Sequence, residues 1–333
     1  MRVGSKRFSA SWGRRAVAAA VAVATIPALA GLTGSLGAAN AWGPGTAKHP
    51  PRGFKQAFVN GAGMPNVKVR TWASTTTPPS KAPTVVFLDG LRATWDVSGW
   101  EQQTNVAFLS QHGVNVVMPV GGTSSWFTDW QSPSSTNHQP YRYTWGTFLK
   151  TSLPAYIRSL GFSNNVSLVG LSMSGSAALI NTLNSGGYYK RAASLSGMDN
   201  LSAPGMPIAV GIASLDSGGY NAGLDMWGGP FDSRWALNDP TVQVARFRNI
   251  PVWIGAGNGT FGKYTPHPTA ADFVQGVPLE MLALSQARSF QAAAQRAGLT
   301  KVHYDFPPTG THTWGYWQDQ VWSMQRTGWF TKF

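Results

Sequence analysis

Short apolar runs that alternate with helical patterns restrict the fold of this chain more than any other feature. The runs occupy 66–72, 84–90, 114–122, 165–172, 191–197, 250–257 and 301–308, and several are apolar at nearly every position. That pattern is typical of strands covered on both faces. Helical patterns lie between them, at 104–113, 144–161, 174–186 and 280–298. The alternation predicts an α/β fold, a single domain whose mainly parallel central sheet is flanked by helices.

The first 41 residues have the pattern of a secretory signal peptide. Five basic residues precede an Ala/Val-rich run at 16–30, and "AANA" at 38–41 predicts cleavage between Ala41 and Trp42. A retained membrane anchor is the less favoured interpretation, since one proline and two glycines interrupt the apolar stretch. The pair Arg14 and Arg15 also permits a twin-arginine route. We therefore predict a secreted protein of the cell envelope.

The rest of the chain divides into a Pro/Gly-rich extended lead-in at 42–59 and one domain at 60–333. Within that domain, 198–240 is long, irregular and rich in Gly, Asp and Trp. Loops of that length inside a compact domain are usually functional or contain short helices. We interpret this stretch as an insertion that helps to wall a site.

Composition excludes several kinds of site. The chain has no cysteine, so thiol catalysis and cysteine metal sites are ruled out. No histidine pair or carboxylate cluster has the spacing of metal ligands, and we expect neither a metal nor a cofactor. Removal of the five basic residues of the signal peptide lowers the net charge from +13 to +8, and this positive charge suits work near an anionic envelope. The basic residues are scattered, which disfavours nucleic acid as a partner.

The stretch "LVGLSMSG" at 168–175 is the strongest chemical signal. Ser172 follows an apolar strand and precedes a helical run, which is the setting of the nucleophile in an α/β-hydrolase fold. The usual pattern has glycine two residues after the serine, whereas this chain has Ser174 there and Gly175 one position later. The alternative interpretation is that Ser172 only caps the next helix.

A serine hydroxyl needs a base, and in this fold the acid and then the histidine follow the serine along the chain. His267, His303 and His312 qualify by that order. His303 alternates within a strand pattern, whereas His312 follows that strand in a Pro/Gly turn, so we favour His312 as the base. Asp272 and Glu280 both follow the strand at 250–257, and spacing alone leaves the acid open between them.

Several blocks together resemble the mycolyltransferases of mycolic-acid-bearing actinobacteria, the group that includes the antigen 85 proteins. The resemblance covers roughly residues 60–325, with the blocks in the family's order, and "MPVGG" and "GTHTW" set it apart from a generic hydrolase. The blocks are "FLDGLRA" (87–93), "SGW" (98–100), "VVMPVGGTSSWFTDW" (116–130), "TWGTFLKTSLPAYI" (144–157), "GLSMSGSAAL" (170–179), "DMWGG" (225–229), "NDP" (238–240), "GNGT" (257–260) and "FPPTGTHTWGYW" (306–317).

The resemblance implies roles for particular residues. It makes Ser172 the nucleophile, His312 the general base and Glu280 the acid that orients it, with Leu91 and Met173 as the oxyanion-hole amides. It also implies a sugar site, although the chain reads "WEQQ" where "WDIN" is common in the family. The residues implied for that sugar site are Asp89, Arg92, Gln103 and Trp314.

The function implied is transfer of a mycolyl group from trehalose monomycolate to trehalose monomycolate or cell-wall arabinan, by a monomer without a cofactor. A diacylglycerol acyltransferase-type side activity is part of that expectation. The absence of the cysteines of the mycobacterial relatives suggests the corynebacterial side of the family, with a corynomycolyl group as the cargo. The alternatives are a secreted serine carboxylesterase of the same fold and a non-catalytic carbohydrate-binding relative.

Overall fold

A computed structural model describes residues 50–332. The predicted signal peptide, its cleavage site and the first part of the lead-in, 42–49, lie outside these residues. The strands of the described chain are Lys55–Gly61 (β1), Met64–Trp72 (β2), Thr84–Leu88 (β3), Asn115–Pro119 (β4), Val166–Leu171 (β5), Tyr189–Leu195 (β6), Val252–Gly255 (β7) and Val302–Asp305 (β8).

The helices surround these strands. The α-helices are Gly99–Gln103 (α1), Trp145–Lys150 (α2), Ser152–Ser159 (α3), Met173–Asn184 (α4), Met206–Gly218 (α5), Ala222–Asp225 (α6), Arg234–Leu237 (α7), Val277–Arg296 (α8) and Trp314–Thr327 (α9). Short 3₁₀ turns at Val106–His112 and Val244–Phe247 and a π-helical turn at Asp272–Gly276 complete the description.

The eight strands form one sheet in the order β1-β2-β4-β3-β5-β6-β7-β8. The pairs β1/β2 and β2/β4 are antiparallel, and all other neighbours are parallel. The prediction of a mainly parallel sheet is therefore confirmed. Within the described residues, no helix is both long and apolar enough to cross a bilayer.

The central strands are apolar throughout because both faces of the sheet are covered. Every residue of β3, β4 and β5 is buried. Alternate residues point to opposite cores: Val86 and Leu168 belong to one hydrophobic cluster, and Val85 and Val169 belong to another. The continuous apolar pattern thus follows from the period-two geometry of a strand between two helical layers.

The lead-in prediction needs correction. Residues 55–59 belong to strand β1, which pairs with β2 from Lys55↔Thr71 onward. The strand was not recognised because it lies at the edge of the sheet and leaves most of its residues exposed, including Phe58. The sheet therefore begins before residue 60.

Two helical expectations also change. The single helix expected at 144–161 is split into α2 and α3, because Pro154 has no N–H to donate to the carbonyl of Lys150. The segment 104–113 forms a 3₁₀ turn. The insertion at 198–240 contains a helix of 13 residues, α5, and the sequence patterns did not identify α9.

Several of the candidate site residues lie at the carboxyl edge of the sheet. Asp89 directly follows β3, Ser172 follows β5, and Ser196 follows β6. Gly257 and His312 lie in the loops beyond β7 and β8. Parallel strands end at the same edge, and ligands of open α/β sheets bind there.

Gly175 is required by packing, because a Cβ there would collide with Ser194 Oγ and lie 2.6 Å from Gly197 Cα. We predict that Gly175→Ala lowers the free energy of unfolding by about 1–3 kcal/mol through overpacking. Gly229→Ala is the matched control, since a Cβ added there would have no other atom within 4 Å. Urea unfolding followed by circular dichroism measures both, and equal stabilities would contradict the packing argument.

Candidate active site

Ser172 lies in a strained turn between β5 and α4. Its backbone angles are φ 53° and ψ −121°. Residues other than glycine rarely occupy this region of φ/ψ space. Among the described residues, its side chain makes no capping hydrogen bond to α4. The geometry therefore does not support the alternative that this serine is a helix cap. Strain of this kind is found where a turn holds a reactive group in place.

Ser174 explains the departure from the usual glycine spacing. Its Oγ accepts a hydrogen bond from Leu171 N at 2.9 Å and lies within donating distance of the carbonyl oxygens of Leu88, 2.9 Å, and Leu171, 3.0 Å. The hydroxyl thus ties the end of β5 to the end of β3. A small polar side chain is accommodated at position 174, and the need for glycine falls on 170 and 175, where an added Cβ would collide with neighbouring atoms.

His312 and Glu280 form a buried hydrogen-bonded pair. His312 Nδ1 lies 2.8 Å from Glu280 Oε2, and the two side chains are 6% and 1% exposed. His312 also lines the same cavity as Ser172. With Nδ1 engaged by the carboxylate, Nε2 is the ring nitrogen available to exchange a proton with a hydroxyl in that cavity.

Glu280 has two further partners that the sequence did not suggest. Ser196 Oγ donates to Glu280 Oε1 at 2.7 Å, and Gly257 N donates to the same oxygen at 2.5 Å. Trp317 Nε1 in turn donates to Ser196 Oγ at 2.8 Å, and its ring meets His312 edge-on at 4.9 Å. The buried carboxylate is therefore satisfied on both oxygens and fixed in one orientation.

The other acids between Ser172 and His312 have different partners. Asp272 accepts from Thr269 N and Oγ1 at 2.7 and 2.8 Å, so it stabilises its own turn. His303, one of the two other candidate histidines, lies on the edge strand β8, and its ring stacks on that of Trp253 with the centroids 3.8 Å apart. The remaining carboxylates with a hydrogen-bonded partner elsewhere are Asp199 with Ser194, Asp216 with Arg92, Asp225 with Ser135, Asp232 with Arg234 and Asp239 with Ser202.

The cavity of about 180 Å³ at Ser172 also brings together the four residues expected to hold a sugar, Asp89, Arg92, Gln103 and Trp314. It is walled on one side by Ala213 and Asp216 of α5. The insertion at 198–240 thus contributes to the wall, as expected from its length.

Asp89 is the most unusual polar group in the cavity. Its Oδ1 accepts from Ser98 Oγ at 3.0 Å and from Trp100 N at 3.4 Å. Its Oδ2 is buried and has no partner among the described residues. Burial raises the pKa of Asp89 from 3.8 to about 7. A buried oxygen left unsatisfied in a cavity is a ready acceptor for a ligand hydroxyl.

The other three residues are held in different ways. Arg92 Nη2 forms an ion pair with Asp216 Oδ2 at 2.5 Å, so the guanidinium bridges the β3 loop and α5. Trp314 packs edge-on against Trp100 and Trp317, with ring centroids 5.6 and 5.2 Å away. Gln103 ends α1 and is half-buried in the cavity wall.

Two backbone amides are suited to bind an anion at Ser172. Met173 is the first residue of α4, so its N–H has no acceptor within the helix. Leu91 lines the cavity, and its carbonyl accepts from Ser124 N at 2.9 Å, which fixes the peptide. Neither N–H bonds to another backbone group within residues 50–332. Among those residues, no group of three or more His, Asp or Glu is placed to hold a metal ion.

The chain matches a known protein family and is similar to known acyltransferases. The family model named Esterase matches residues 65–327. The diacylglycerol acyltransferase/mycolyltransferase Ag85C of Mycobacterium leprae is 41% identical over 249 residues, which cover 72% of each chain. The corresponding Ag85B of Mycobacterium intracellulare is 36% identical over 321 residues, covering 95% of this chain and 93% of the relative.

Solved structures show the same fold. MPT51 (FbpC1) of Mycobacterium tuberculosis superposes with a TM-score of 0.68 at 24% identity, covering 83% of this chain and 98% of that one. The fluorophosphonate-binding serine hydrolase F of Staphylococcus aureus superposes with a TM-score of 0.60 at 14% identity, covering 84% and 99%. The architecture is that of an α/β-hydrolase.

We predict that Ser196→Ala lowers kcat on a chromogenic ester about fivefold and leaves KM unchanged. The reason is that one hydrogen bond holding Glu280 is lost, which is worth on the order of 1 kcal/mol. Trp317→Phe, which removes the indole donor to Ser196 together with part of the ring that contacts His312, should lower kcat in the same direction. Ser289→Ala, an exposed change on the helix that carries Glu280, is the control. An unchanged kcat in a folded Ser196→Ala protein would exclude a positioning role.

Proposed function

The chain belongs to the Esterase family and, within it, to the antigen 85 mycolyltransferases, and on that premise we propose its reaction in detail. The enzyme is an acyltransferase of mycolyl groups. It takes the acyl group from trehalose monomycolate, holds it on Ser172, and passes it to a sugar hydroxyl of a second trehalose monomycolate or of cell-wall arabinan. The observation that carries this proposal is the strained Ser172 in one cavity with a histidine fixed by a buried glutamate.

In the first half-reaction, Ser172 Oγ attacks the ester carbonyl and its proton passes to His312 Nε2. Glu280 stabilises the imidazolium that forms and keeps the ring in one orientation. The amides of Leu91 and Met173 stabilise the oxyanion of the tetrahedral intermediate, and each such donor typically contributes about a hundredfold or more in rate. The imidazolium then protonates the departing sugar oxygen, and trehalose leaves behind an acyl-enzyme.

In the second half-reaction, a hydroxyl of the acceptor sugar replaces water as the nucleophile. His312 removes its proton, the hydroxyl attacks the acyl carbon, and Ser172 is released with its proton restored. Transfer exceeds hydrolysis when the acceptor is held near the acyl carbon at high effective concentration. We assign that holding role to Asp89, Arg92, Gln103 and Trp314, which surround the cavity at Ser172.

Each of these four side chains suits a sugar for a physical reason. The unsatisfied Oδ2 of Asp89 can accept a hydrogen bond from a sugar hydroxyl, and the guanidinium of Arg92, held by Asp216, can donate to hydroxyl oxygens. Trp314 lines the cavity, and an aromatic ring suits packing against a sugar ring. Gln103 both donates and accepts, so it can replace the asparagine common at this place in the family.

The location of the protein and a second acceptor belong to the same proposal. Residues 1–41 direct export, and the domain at 60–333, extended by β1, acts at the envelope, where trehalose mycolates and arabinan are its partners. The relatives are also named diacylglycerol acyltransferases, so we include diacylglycerol as an accessory acceptor. The protein acts as a monomer in this scheme.

Product analysis separates this proposal from a secreted carboxylesterase. We predict that the purified protein converts labelled trehalose monomycolate into trehalose dimycolate, with less free fatty acid than dimycolate at high acceptor concentration. Ser172→Ala should abolish both products, whereas Ser163→Ala, a serine far from the cavity in the loop before β5, should not. Free acid without dimycolate would favour the esterase. Retention of the cellular function by Ser172→Ala would favour a non-catalytic binding protein.

The raised pKa of Asp89 predicts a pH dependence of sugar binding. Below a pH of about 7 the buried carboxyl is largely protonated, and above it the carboxylate forms and accepts charge-assisted hydrogen bonds from hydroxyl groups. Trehalose should therefore bind the Ser172→Ala protein more tightly as pH rises through about 7, measured by calorimetry. Asp89→Asn should bind more weakly and without this rise. A rise of the same size in Asp89→Asn would assign the titration to another group.

A further inference from the structure

A second groove, of about 850 Å³, lies beside α4 and shares no lining residue with the cavity at Ser172. Its walls come from α2, α4, α7, the loop at 126–131 and the 3₁₀ turn Val244–Phe247. That volume is within the usual range for small-molecule sites, about 300–1,000 Å³. The acyl-transfer mechanism uses none of its residues.

The rim of this groove is cationic. Arg142, Lys150, Arg234 and Arg246 line it together with a single carboxylate, Asp129. Arg234 is neutralised by Asp232, which lies 2.6 Å from its Nη2. The other three cations form no ion pair within the described residues.

Each of the two unneutralised arginines keeps donors free for a ligand. Arg246 donates to the amide oxygens of Asn184 at 3.0 Å and Gln243 at 3.4 Å, and Arg142 donates to the carbonyl of Trp130 at 3.3 Å. A guanidinium has five N–H donors, so most of them remain available. Neutral acceptors position these groups without cancelling their charge, which leaves the rim attractive to an anion.

Helix α4 presents two amide side chains to the groove. Asn181 and Asn184 of α4 both face the groove. Asn181 Nδ2 donates to the carbonyls of Phe127 and Ala177, each at 2.9 Å, so its Oδ1 remains as an acceptor. An amide acceptor beside cations suits a ligand that has hydroxyl groups as well as negative charge.

The walls of the groove are held by contacts within the protein. Trp126 and Trp227 line the groove but are only 5% and 4% exposed. Trp227 Nε1 donates to Thr128 Oγ1 at 3.2 Å. The carboxylate of Asp129 is likewise engaged by Thr147, through N at 2.9 Å and Oγ1 at 2.7 Å. A preformed wall reduces the ordering that binding would otherwise require.

We propose that this groove is a binding site for an anionic carbohydrate, a sugar that carries a phosphate or a carboxylate group. Arg142, Lys150 and Arg246 bind the anionic group, and the asparagines of α4 bind the sugar hydroxyls. The site is separate from acyl transfer and does not depend on it. It gives the enzyme a second contact with glycans of an anionic envelope.

Calorimetry on the full mature protein tests this site with four probes: glucose 6-phosphate, glucuronate, glucose and inorganic phosphate. We expect one or both anionic sugars to bind at least tenfold more tightly than glucose and than inorganic phosphate. Preference for glucose 6-phosphate identifies a phosphoryl group as the anion, and preference for glucuronate identifies a carboxylate. Inorganic phosphate that binds as tightly as both anionic sugars would overturn the proposal, because it would show an ion site without sugar recognition.

A double variant locates the binding. Lys150→Gln with Arg246→Gln should weaken binding of the anionic sugar at least tenfold and leave acyl transfer from trehalose monomycolate unchanged. Lys81→Gln with Arg326→Gln removes the same charge from exposed positions away from the groove and should change neither. Equal weakening in both double variants would indicate a general charge effect, and unchanged affinity in the groove variant would place the ligand elsewhere. Both results would overturn the proposal.

Discussion

The hydrogen bond between Glu280 and His312 is the interaction on which the proposed active site depends. A carboxylate that is 1% exposed is stable only when its oxygens are paired. Here the pairing comes from Ser196 after β6, Gly257 after β7 and His312 after β8. The relative positions of three strand ends are thereby fixed around one carboxylate. The same contacts connect three strand ends and orient the imidazole that we propose as the base.

The strained backbone of Ser172 is the second constraint. Hydrogen bonds to neighbouring strands of the sheet stabilise it. Ser172 N donates to Leu195 O at 2.9 Å, which anchors the turn to β6. The hydroxyl of Ser174 anchors the same turn to β3. Because strands on both sides hold the turn, the serine remains in a backbone conformation that it would not adopt alone. Ser172 therefore lines the cavity in this conformation without a bound substrate.

The sequence predicted the strands and turns whose formation depends on residues close together in the chain. Strands β2 to β8 all coincide with predicted runs, and the covered central strands gave the clearest pattern because they are apolar throughout. Ser172 was found because a strand, a tight turn and a helix follow one another. Strand β1 was missed because it is polar and exposed at the sheet edge. Helix α5 was missed because it carries glycines and a proline and lacks a clear polar face.

The contacts that join distant segments were beyond sequence reasoning. Nothing in "ASLSG" distinguishes Ser196 from its neighbours, since its role arises from Glu280, 84 residues later. The ion pair between Arg92 and Asp216 joins residues 124 positions apart. The choice between Asp272 and Glu280 rested on the family resemblance and could not be made from spacing. The structure gives each acid its partner, which local patterns do not encode.

The central claim is that Ser172 is the group that carries the acyl chain, activated by His312 and Glu280. Labelling with a lipophilic phosphonate ester, followed by mass spectrometry of the digested protein, tests it most directly. The account predicts a single adduct on the peptide that contains Ser172, formed much more slowly in Glu280→Gln and in His312→Gln. An adduct on any other peptide, or equal labelling of Ser172→Ala, would contradict it.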